Sequence, residues 1–191
     1  ILVSKGMTVV EQKNQENWFS SHVSFQAVKR FYYPLKSTEA VGASMDGRST
    51  SLLELPGDGD LKEVQVKLVD AGFWKVFQFA FVDGKPFSQA DFDSGLRKAV
   101  ISRTMARQLF GETPPVGRTF VLDSDEYRVC GVVKDVSFIT PATYADIWLP
   151  LTVDSDIIKD NKGGYELVGD LNVYMLAPSV DAKDKVITEV R

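Results

Sequence analysis

The chain has 191 residues, a formal net charge of −4 and a sequence pI near 5.1. Its 22 lysine and arginine residues are scattered along the sequence, so no basic face is predicted and nucleic acid is not expected as a partner. Apolar residues make up 44% and charged residues 25%, which excludes a disordered or fibrous protein and indicates an ordered globular one, with one domain or two small lobes.

Residues with reactive side chains are few. His22 and Cys130 are the only histidine and the only cysteine of the chain. A single cysteine forms no intramolecular disulfide and does not decide the cellular compartment. A nucleophile needs a base beside it, and zinc needs several histidine or cysteine ligands. The sequence therefore predicts that the chain is not an enzyme, has no catalytic, cofactor-binding or metal-binding residues, and uses no cofactor. Partner-binding residues are not assigned.

The ends of the chain are unusual for a complete protein. No run approaches the ~20 apolar residues of a membrane helix, and no signal peptide opens the chain. The sequence begins at Ile1-Leu2-Val3 without methionine and stops at Arg191 inside a helical pattern. We therefore expect a fragment of a larger protein.

The first predicted helix lies within residues 18–33. Three positions follow the spacing of one helical face: Phe25, Val28 and either Phe31 or Tyr32. Ser24 can act as its N-cap, and Pro34 forces the preceding residue out of helical geometry. The helix is therefore expected to end at Tyr33.

A hairpin and a third strand are predicted next. Residues 38–45 and 49–55 flank Asp46-Gly47, a pair that tolerates the positive φ angles of a tight turn. These two segments are therefore expected to pair as antiparallel strands. In the third strand three apolar residues alternate with polar ones and leave one solvated face: Val64, Val66 and Leu68.

Helix caps mark the following elements. Asp70 is predicted to cap a short helix that runs through Phe77. A strand over residues 99–101 then leads into a helix over 102–110 that begins with a serine cap. Gly111 occupies the position of a helix C-terminal glycine.

The next segment is predicted to be mostly β. Residues 119–122 and 127–133 indicate a hairpin across the turn residues 123–125. Residues 147–149 form one more predicted strand. The polar stretch 154–164 is typical of an exposed linker without a core of its own.

The last elements complete a prediction of the fold class. A strand over residues 171–176 is followed by a helix that Ser179 opens. Three apolar residues lie on one side of that helix: Val186, Ile187 and Val190. The order of elements predicts an α+β fold of two lobes, in which residues 1–82 and 165–191 build an αβ lobe and residues 83–164 form a smaller, mostly β lobe inserted into it.

Four motifs suggest chemistry but lack the required spacing. Gly42–Gly47 misses the Gly-x-Ser-x-Gly spacing of a nucleophile elbow by one residue, and its context is a hairpin. Gly111–Thr119 has neither the lysine nor the glycine spacing of a phosphate loop. Asp91–Gly95 and Asp123–Glu126 lack the twelve-residue spacing of a calcium loop and are attributed to turn chemistry. A catalytic pair of carboxylates from distant segments stays open.

Aromatic residues are concentrated near the start of the chain. The cluster consists of six residues: Trp18, Phe19, Phe25, Phe31, Tyr32 and Tyr33. Core packing is the default interpretation, and a surface for a hydrophobic ligand or partner is the alternative. His22 is interpreted as a structural or surface residue, and Cys130 as a small buried apolar one.

From Val64 onward, motifs in a fixed order resemble the MacB-type periplasmic core domain. Five segments carry the resemblance: Gly72–Phe79, Val82–Phe87 followed by Asp91, AVISRTMARQLFGETPPVGRTF (99–120), YRVCGVVKDV (127–136) and IWLPL (147–151). The resemblance covers about residues 24–191 and is densest over residues 73–151.

The resemblance implies a function in which this domain catalyses no reaction. It implies the extracytoplasmic part of an ABC transporter permease (FtsX-like family), between its first and next membrane helices, with a porter-like lobe built from both termini. The implied partners are an ABC ATPase subunit or domain, a second copy in a homodimer, the flanking membrane helices and a periplasmic adaptor protein. ATP-driven motion of the membrane helices would be transmitted outside, and the location would be the inner membrane with this domain on the periplasmic side.

The loops 137–144 and 154–164 match no motif of that family, and partner choice is expected there. Relatives export macrolides or peptides, release lipoproteins or activate cell-wall hydrolases, and the sequence does not choose among these roles. The lobe junctions near Asp83 and Asp154 are further regions of interest.

Two other classes of function stay open from the sequence. One is a free-standing ligand-binding or sensor domain with an apolar cavity near Trp18, Phe25 and Phe31. The other, ranked lowest, is a hydrolase with two acids about 5–9 Å apart in a cleft.

Overall fold

The computed structural model describes residues 1–4, 7–12, 15–20, 22–45, 51–57, 59–159 and 167–190. The predicted turn at Asp46-Gly47 and the end of the predicted linker lie outside these residues.

Strands and short helices confirm the α+β fold class. The described strands are β1 (Leu2–Ser4), β2 (Met7–Gln12), β3 (Gln15–Ser20), β4 (His22–Val23), β5 (Ala40–Met45), β6 (Ser51–Glu54), β7 (Leu61–Val64), β8 (Val66–Val69), β9 (Phe81–Gly84), β10 (Lys98–Ser102), β11 (Thr119–Leu122), β12 (Asp125–Val133), β13 (Ile147–Pro150), β14 (Val168–Gly169) and β15 (Asn172–Leu176). The helices are α1 (Phe25–Ala27), α2 (Phe73–Phe77), α3 (Gln89–Asp93), α4 (Arg103–Phe110), α5 (Ser155–Lys159) and α6 (Lys183–Val190), with a π-helical turn at Val28–Tyr32 and a 3₁₀ turn at Leu151–Val153.

One mixed sheet forms the centre of the molecule. Its hydrogen-bonded order is β1-β15-β5-β8-β13-β10-β12-β11-β6-β7, and β9 pairs with β12 beside this path. The pairs β8–β13 and β10–β12 are parallel, whereas the other pairs are antiparallel. The path crosses the predicted lobe boundary at β8–β13 and again at β11–β6. The division into lobes at residues 82 and 165 stays a prediction.

The short helix α2 lies directly against strand β5. A Cβ atom on Gly42 would be 2.6 Å from the Cα atom of Phe73, and one on Gly72 would be 1.9 Å from the carbonyl oxygen of Val41. Only glycine permits this approach, because no real Cβ contact is so short. The approach places the rings of Phe73 and Trp74 in the core, where Trp74 meets Trp148 at a centroid distance of 6.3 Å.

Local signals predicted several element boundaries correctly. The Ser24 hydroxyl accepts from the Ala27 N–H at 2.9 Å and the Ser102 hydroxyl from the Met105 N–H at 3.1 Å, so both serine caps are confirmed. Gly111 ends α4 with a φ angle of 59°. The hairpin β11–β12 turns through residues 123–124, which both adopt positive φ angles.

The segment before the first helix is β rather than helical. Trp18 lies in β3, where it is opposite Val9 of β2. The helix begins only at Phe25, after its serine cap, and widens into the π-helical turn that ends beside Tyr33. The aromatic spacing therefore predicted the helix over residues 25–33 and not its extension to Trp18.

The predicted hairpin of residues 38–45 and 49–55 is wrong in its pairing. Strands form at both places, but β5 pairs with β15 and β8, whereas β6 pairs with β7 and β11. The turn signal was local, and the pairing is decided by the apolar surface that each strand buries in the sheet.

The predicted third strand is two strands that meet at Gln65. The Gln65 carbonyl oxygen accepts from the N–H groups of Asp146 and Ile147, and its own N–H donates to the Asp146 carboxylate at 2.9 Å. Before Gln65 the chain pairs with β6 as strand β7, and after it the chain pairs with β13 as strand β8. The expected solvated face of β8 is wrong, because neighbouring strands and covering elements bury it on both sides and Lys67 is only 3% exposed.

Two predictions near the C-terminus need correction. Part of the predicted linker forms α5, in which Ile157 and Ile158 are half-buried against the core. Ser179 accepts from the Ala182 N–H at 3.1 Å, but the last helix begins only at Lys183. Val186 of that helix is fully buried, as its apolar side predicted.

Candidate functional site

A cleft of about 760 Å³ lies between residues 33–41, which we call the strap, and the segment that carries α2. The apolar part of its lining includes Leu35, Val41, Trp74 and Phe87. Lys75 and Lys85 supply positive charge, and segments 70–75 and 85–89 form the walls opposite the strap.

The strap is held by the last helix and the last strand. The Glu189 carboxylate of α6 accepts from the backbone N–H groups of Lys36 and Ser37, each at 3.0 Å, and also from the Ser37 hydroxyl. These donors lower the pKa of Glu189. The Glu39 N–H donates to the carbonyl oxygen of Leu176 at 2.8 Å. Helix α6 and strand β15 therefore both fix the position of the strap.

A buried carboxylate joins the strap to α2. One oxygen of Asp70 accepts from the Tyr33 hydroxyl and the other from the Phe73 N–H, both at 2.7 Å. The second bond satisfies the first N–H group of α2, but the N-cap residue is Gly72 and not Asp70, which lies two residues before it. Burial raises the pKa of Asp70 from its ordinary 3.8 to about 6, although these hydrogen bonds lower it. Burial, followed by the charge of Asp70, raises the pKa of Tyr33 as well.

Trp74 forms the base of the cleft and is packed among aromatic rings. Its ring lies 5.2 Å from that of Phe79 and 5.6 Å from that of Phe87, both in edge-to-face geometry. Its indole N–H is buried and has no hydrogen-bond acceptor among the described residues. An orphan buried donor is rare in folded proteins and carries a free-energy cost.

The two residues with potentially reactive side chains lie apart. His22 is exposed in β4, and Cys130 is half-buried in β12, where its thiol donates to the Ala99 carbonyl oxygen at 3.3 Å. Burial raises the pKa of the Cys130 thiol to about 12, so it is a poor nucleophile at neutral pH.

The acidic motifs accept local hydrogen bonds, but residues 91–93 lie in α3 and not in the predicted turn. Asp91 completes a capping box with Ser88, and the ammonium of Lys98 at 2.7 Å lowers the pKa of Asp91 to about 2. Asp123 accepts from the Leu52 N–H at 2.8 Å. Over the described parts of the chain, no three acidic, histidine or cysteine side chains come together as a set of metal ligands.

The two glycine motifs also have structural roles. Ser44 of the elbow-like motif is fully buried in β5, with its hydroxyl 3.3 Å from that of Tyr174, so it is not presented on a strand-to-helix turn. In the second motif Arg118 donates to the Pro114 carbonyl oxygen at 3.1 Å and closes a turn.

The aromatic cluster is divided between core and surface. Phe25 is buried and packs against Phe92 with the ring centroids 6.1 Å apart, whereas Phe31 is 47% exposed. Neither ring lines the cleft, although Tyr33 does. The side chains of Trp18 and Phe19 lie outside the described part of the chain.

The loop 137–144 presents an apolar tip. Phe138 and Ile139 are each 76% exposed. The loop is nevertheless ordered, since the Ser137 carbonyl oxygen accepts from the Thr140 N–H at 3.0 Å and the buried Trp148 donates to the Thr143 carbonyl oxygen at 3.2 Å. At the predicted junctions, Asp83 and Asp154 accept from nearby backbone N–H groups.

Comparison with known proteins decides the family. The family model of the MacB-like periplasmic core domain matches residues 4–191. The chain belongs to this family. MacB-like periplasmic core domains are parts of ABC transporter permeases, as the order of motifs in the sequence implied. Among the described helices, none has the length and hydrophobicity that crossing a bilayer requires.

Two solved MacB-like structures share the fold. The periplasmic region of MacB from Actinobacillus actinomycetemcomitans is 15% identical with a TM-score of 0.65, over 89% of this chain and 73% of that one. The extracellular domain of YknZ, a noncanonic ABC-type transporter from Gram-positive bacteria, is 19% identical with a TM-score of 0.59, over 85% and 77%.

Curated MacB-like relatives match over shorter segments. The uncharacterized ABC transporter permease YknZ of Bacillus subtilis is 25% identical over 91 residues, which are 48% of this chain and 23% of the relative. The pyoverdine export ATP-binding/permease protein PvdT of Pseudomonas savastanoi is 34% identical over 67 residues, 35% of this chain and 10% of the relative. The matched segments therefore span less than a quarter of each relative.

The cleft is the feature that sequence reasoning missed. Its walls come from three segments, residues 33–41, 70–75 and 85–89, and only the fold brings them together. The only local signal of the cleft was the Gly72-Phe73-Trp74 motif. In the sequence analysis this motif served only as part of the resemblance to the MacB-type domain.

Proposed function

We propose that this MacB-like domain works mechanically, by transmitting ATP-driven motion of a permease's membrane helices to the periplasmic side. It does so without catalysing a reaction. The parent protein would lie in the inner membrane and would either export a substrate or act on an extracytoplasmic partner.

The observation that carries this proposal is the attachment of α6 to the strap through Glu189. Three donors of the strap bind one carboxylate near the end of the last helix. From the strap, the Tyr33 hydroxyl donates to the buried Asp70, which also accepts from the Phe73 N–H at the start of α2. A displacement of α6 is thereby passed to the core through hydrogen bonds and packed rings, as a contiguous mechanical path requires.

The partners follow from the same proposal. An ABC ATPase is the energy source, either as a separate subunit or fused to the permease, as in the ATP-binding/permease protein PvdT. A homodimer supplies a second domain against which motion is produced, and a periplasmic adaptor is a further partner. Two states of an interface that differ by a few kcal/mol are enough for such a switch.

The test uses the full-length permease with its ATPase in nanodiscs. A single spin label at Val180, which is 88% exposed, reports the distance between the two copies of the domain in a Cys130→Ala background. We expect the distance distribution to shift between the nucleotide-free and the vanadate-trapped states. A hydrolysis-deficient ATPase should abolish the vanadate-dependent shift.

An unchanged distribution in an actively hydrolysing transporter would contradict mechanical transmission. A single unpaired label in both states would contradict the homodimer.

The alternative of a sensor domain predicted a cavity near Trp18, Phe25 and Phe31. The side chain of Trp18 lies outside the described residues; of the other two rings, Phe25 is packed in the core and neither lines the cleft, so they do not support it. The hydrolase alternative gains no support either. Asp70 has a raised pKa, but it is only 2% exposed and both of its oxygens accept hydrogen bonds.

A further inference from the structure

We propose that the cleft binds an anionic amphiphile, a molecule with an apolar chain and a carboxylate or phosphate head group. The apolar chain lies along the base of the cleft and the head group contacts Lys75 and Lys85. This inference goes beyond the mechanical function, and only the source of the ligand rests on it.

The cleft has the size and rigidity of a binding site. Its volume of about 760 Å³ falls within the range of roughly 300–1,000 Å³ that small-molecule sites occupy. Glu189 and Leu176 hold one side of the strap, and Asp70 holds Tyr33 on the other. The wall is therefore in place before a ligand arrives, which lowers the entropy cost of binding.

The apolar part of the cleft lining suits an apolar chain. Leu35, Val41 and Pro86 are half-buried in its lining, so part of their apolar surface is in contact with water. Covering such surface with an apolar chain is favourable, because it removes apolar surface from water.

The charges of the lining select a negative head group. Lys75 and Lys85 are exposed, and neither has an ion-pair partner among the described residues. Two acidic groups, Glu39 and Asp70, also line the cleft. Asp70 is buried with both oxygens occupied, which leaves two accessible cations against the single accessible carboxylate of Glu39. This local excess contrasts with the chain's net charge of −4.

The position of the cleft indicates where the ligand comes from. Ala40 and Val41 of the strap are opposite Leu176 and Met175, and Met175 is also opposite Leu2. The cleft therefore lies at the end of the sheet that contains β1 and β15. In the permease arrangement proposed above, this end faces the bilayer, where anionic lipids carry the same head-group chemistry.

The first experiment measures binding to the purified chain by isothermal titration calorimetry and tryptophan fluorescence. The probes are dodecyl phosphate, dodecylphosphocholine with the same tail and no net charge, and inorganic phosphate without a tail, all below micelle-forming concentrations. We expect saturable binding of dodecyl phosphate, at least about tenfold tighter than either control. Absence of saturable binding, or equal affinity for either control, overturns the proposal.

Charge-reversed variants locate the site. Lys75→Glu combined with Lys85→Glu should weaken dodecyl phosphate binding at least about tenfold, whereas Lys134→Glu, outside the cleft, should change it less than twofold. Thermal unfolding verifies that each variant is folded. If the double variant misfolds, Lys75→Ala and Lys85→Ala are measured singly. Equal losses in the cleft and control variants overturn the assignment.

Vesicles distinguish the two sources of the ligand. Retention on phosphatidylglycerol vesicles but not on phosphatidylcholine vesicles, lost in the Lys75→Glu/Lys85→Glu variant, supports a leaflet lipid. Binding of dodecyl phosphate without vesicle retention supports a soluble amphiphile. The domain-distance measurement in the full-length permease is independent of both results, so the two proposals fail separately.

Discussion

Replacing Asp70 with asparagine should remove a pH dependence from the stability of the fold. The carboxyl group is 2% exposed, and burial raises its pKa from 3.8 to about 6. The folded state therefore binds a proton at Asp70 more tightly than the unfolded chain does. The stabilisation by this proton is complete below about pH 4 and is lost as the pH rises to about 6.

The magnitude follows from the two pKa values. A tenfold change in proton affinity corresponds to ~1.4 kcal/mol, so the shift of Asp70 amounts to about 3 kcal/mol. An asparagine keeps a carbonyl oxygen for the Phe73 N–H and offers its amide N–H to the Tyr33 oxygen. The variant retains the geometry without the titration.

The assay is urea unfolding, followed by far-UV circular dichroism, at pH values between 4 and 7. The free-energy difference between wild type and Asp70→Asn should change by about 3 kcal/mol across this range, with the wild type losing stability as the pH rises. Asp60→Asn, at an exposed position, is the matched control and should follow the wild type. Parallel pH profiles for wild type and Asp70→Asn would refute the reasoning.

Three further outcomes are expected. Gly42→Ala should lower the free energy of unfolding by about 1–3 kcal/mol, because the added Cβ atom would clash with the backbone of Phe73. Thermal unfolding measures this loss, and an unchanged melting temperature would contradict the contact. Cys130 should react slowly with Ellman's reagent at pH 8 and rapidly in denaturant, since burial raises its pKa to about 12; fast native labelling would show an accessible thiolate. Glu189→Ala should speed hydrogen exchange at the two strap amides that it binds, whereas Glu189→Gln should retain most of the protection; equal exchange in wild type and both variants would count against the attachment.

Short-range chemistry was predictable from the sequence. The caps at Ser24 and Ser102, the glycine at 111 and the hairpin turn before β12 depend on neighbouring residues alone, and the structure confirms each of them. The ordered motifs gave the family.

Long-range pairing was not predictable in the same way. Asp46-Gly47 correctly separated two strands, yet β5 and β6 pair with other strands far along the chain. The alternating pattern around Val66 suggested a solvated face, but a strand between two neighbours in a covered sheet buries both faces. The cleft escaped prediction for the same reason, because its strap and base meet only after the sheet has formed.

The pairing of β1 with β15 decides how the domain responds to being pulled. Their antiparallel hydrogen bonds run across the strands, with Leu2 opposite Met175 and Ser4 opposite Val173. If both strands are drawn in the same direction, the pair travels as one piece and carries the sheet with it. If one is drawn past the other, every bond between them is sheared at once instead of opening one after another. The three paired positions of β1 and β15 therefore resist sliding of one strand past the other more strongly than a stepwise separation from one end.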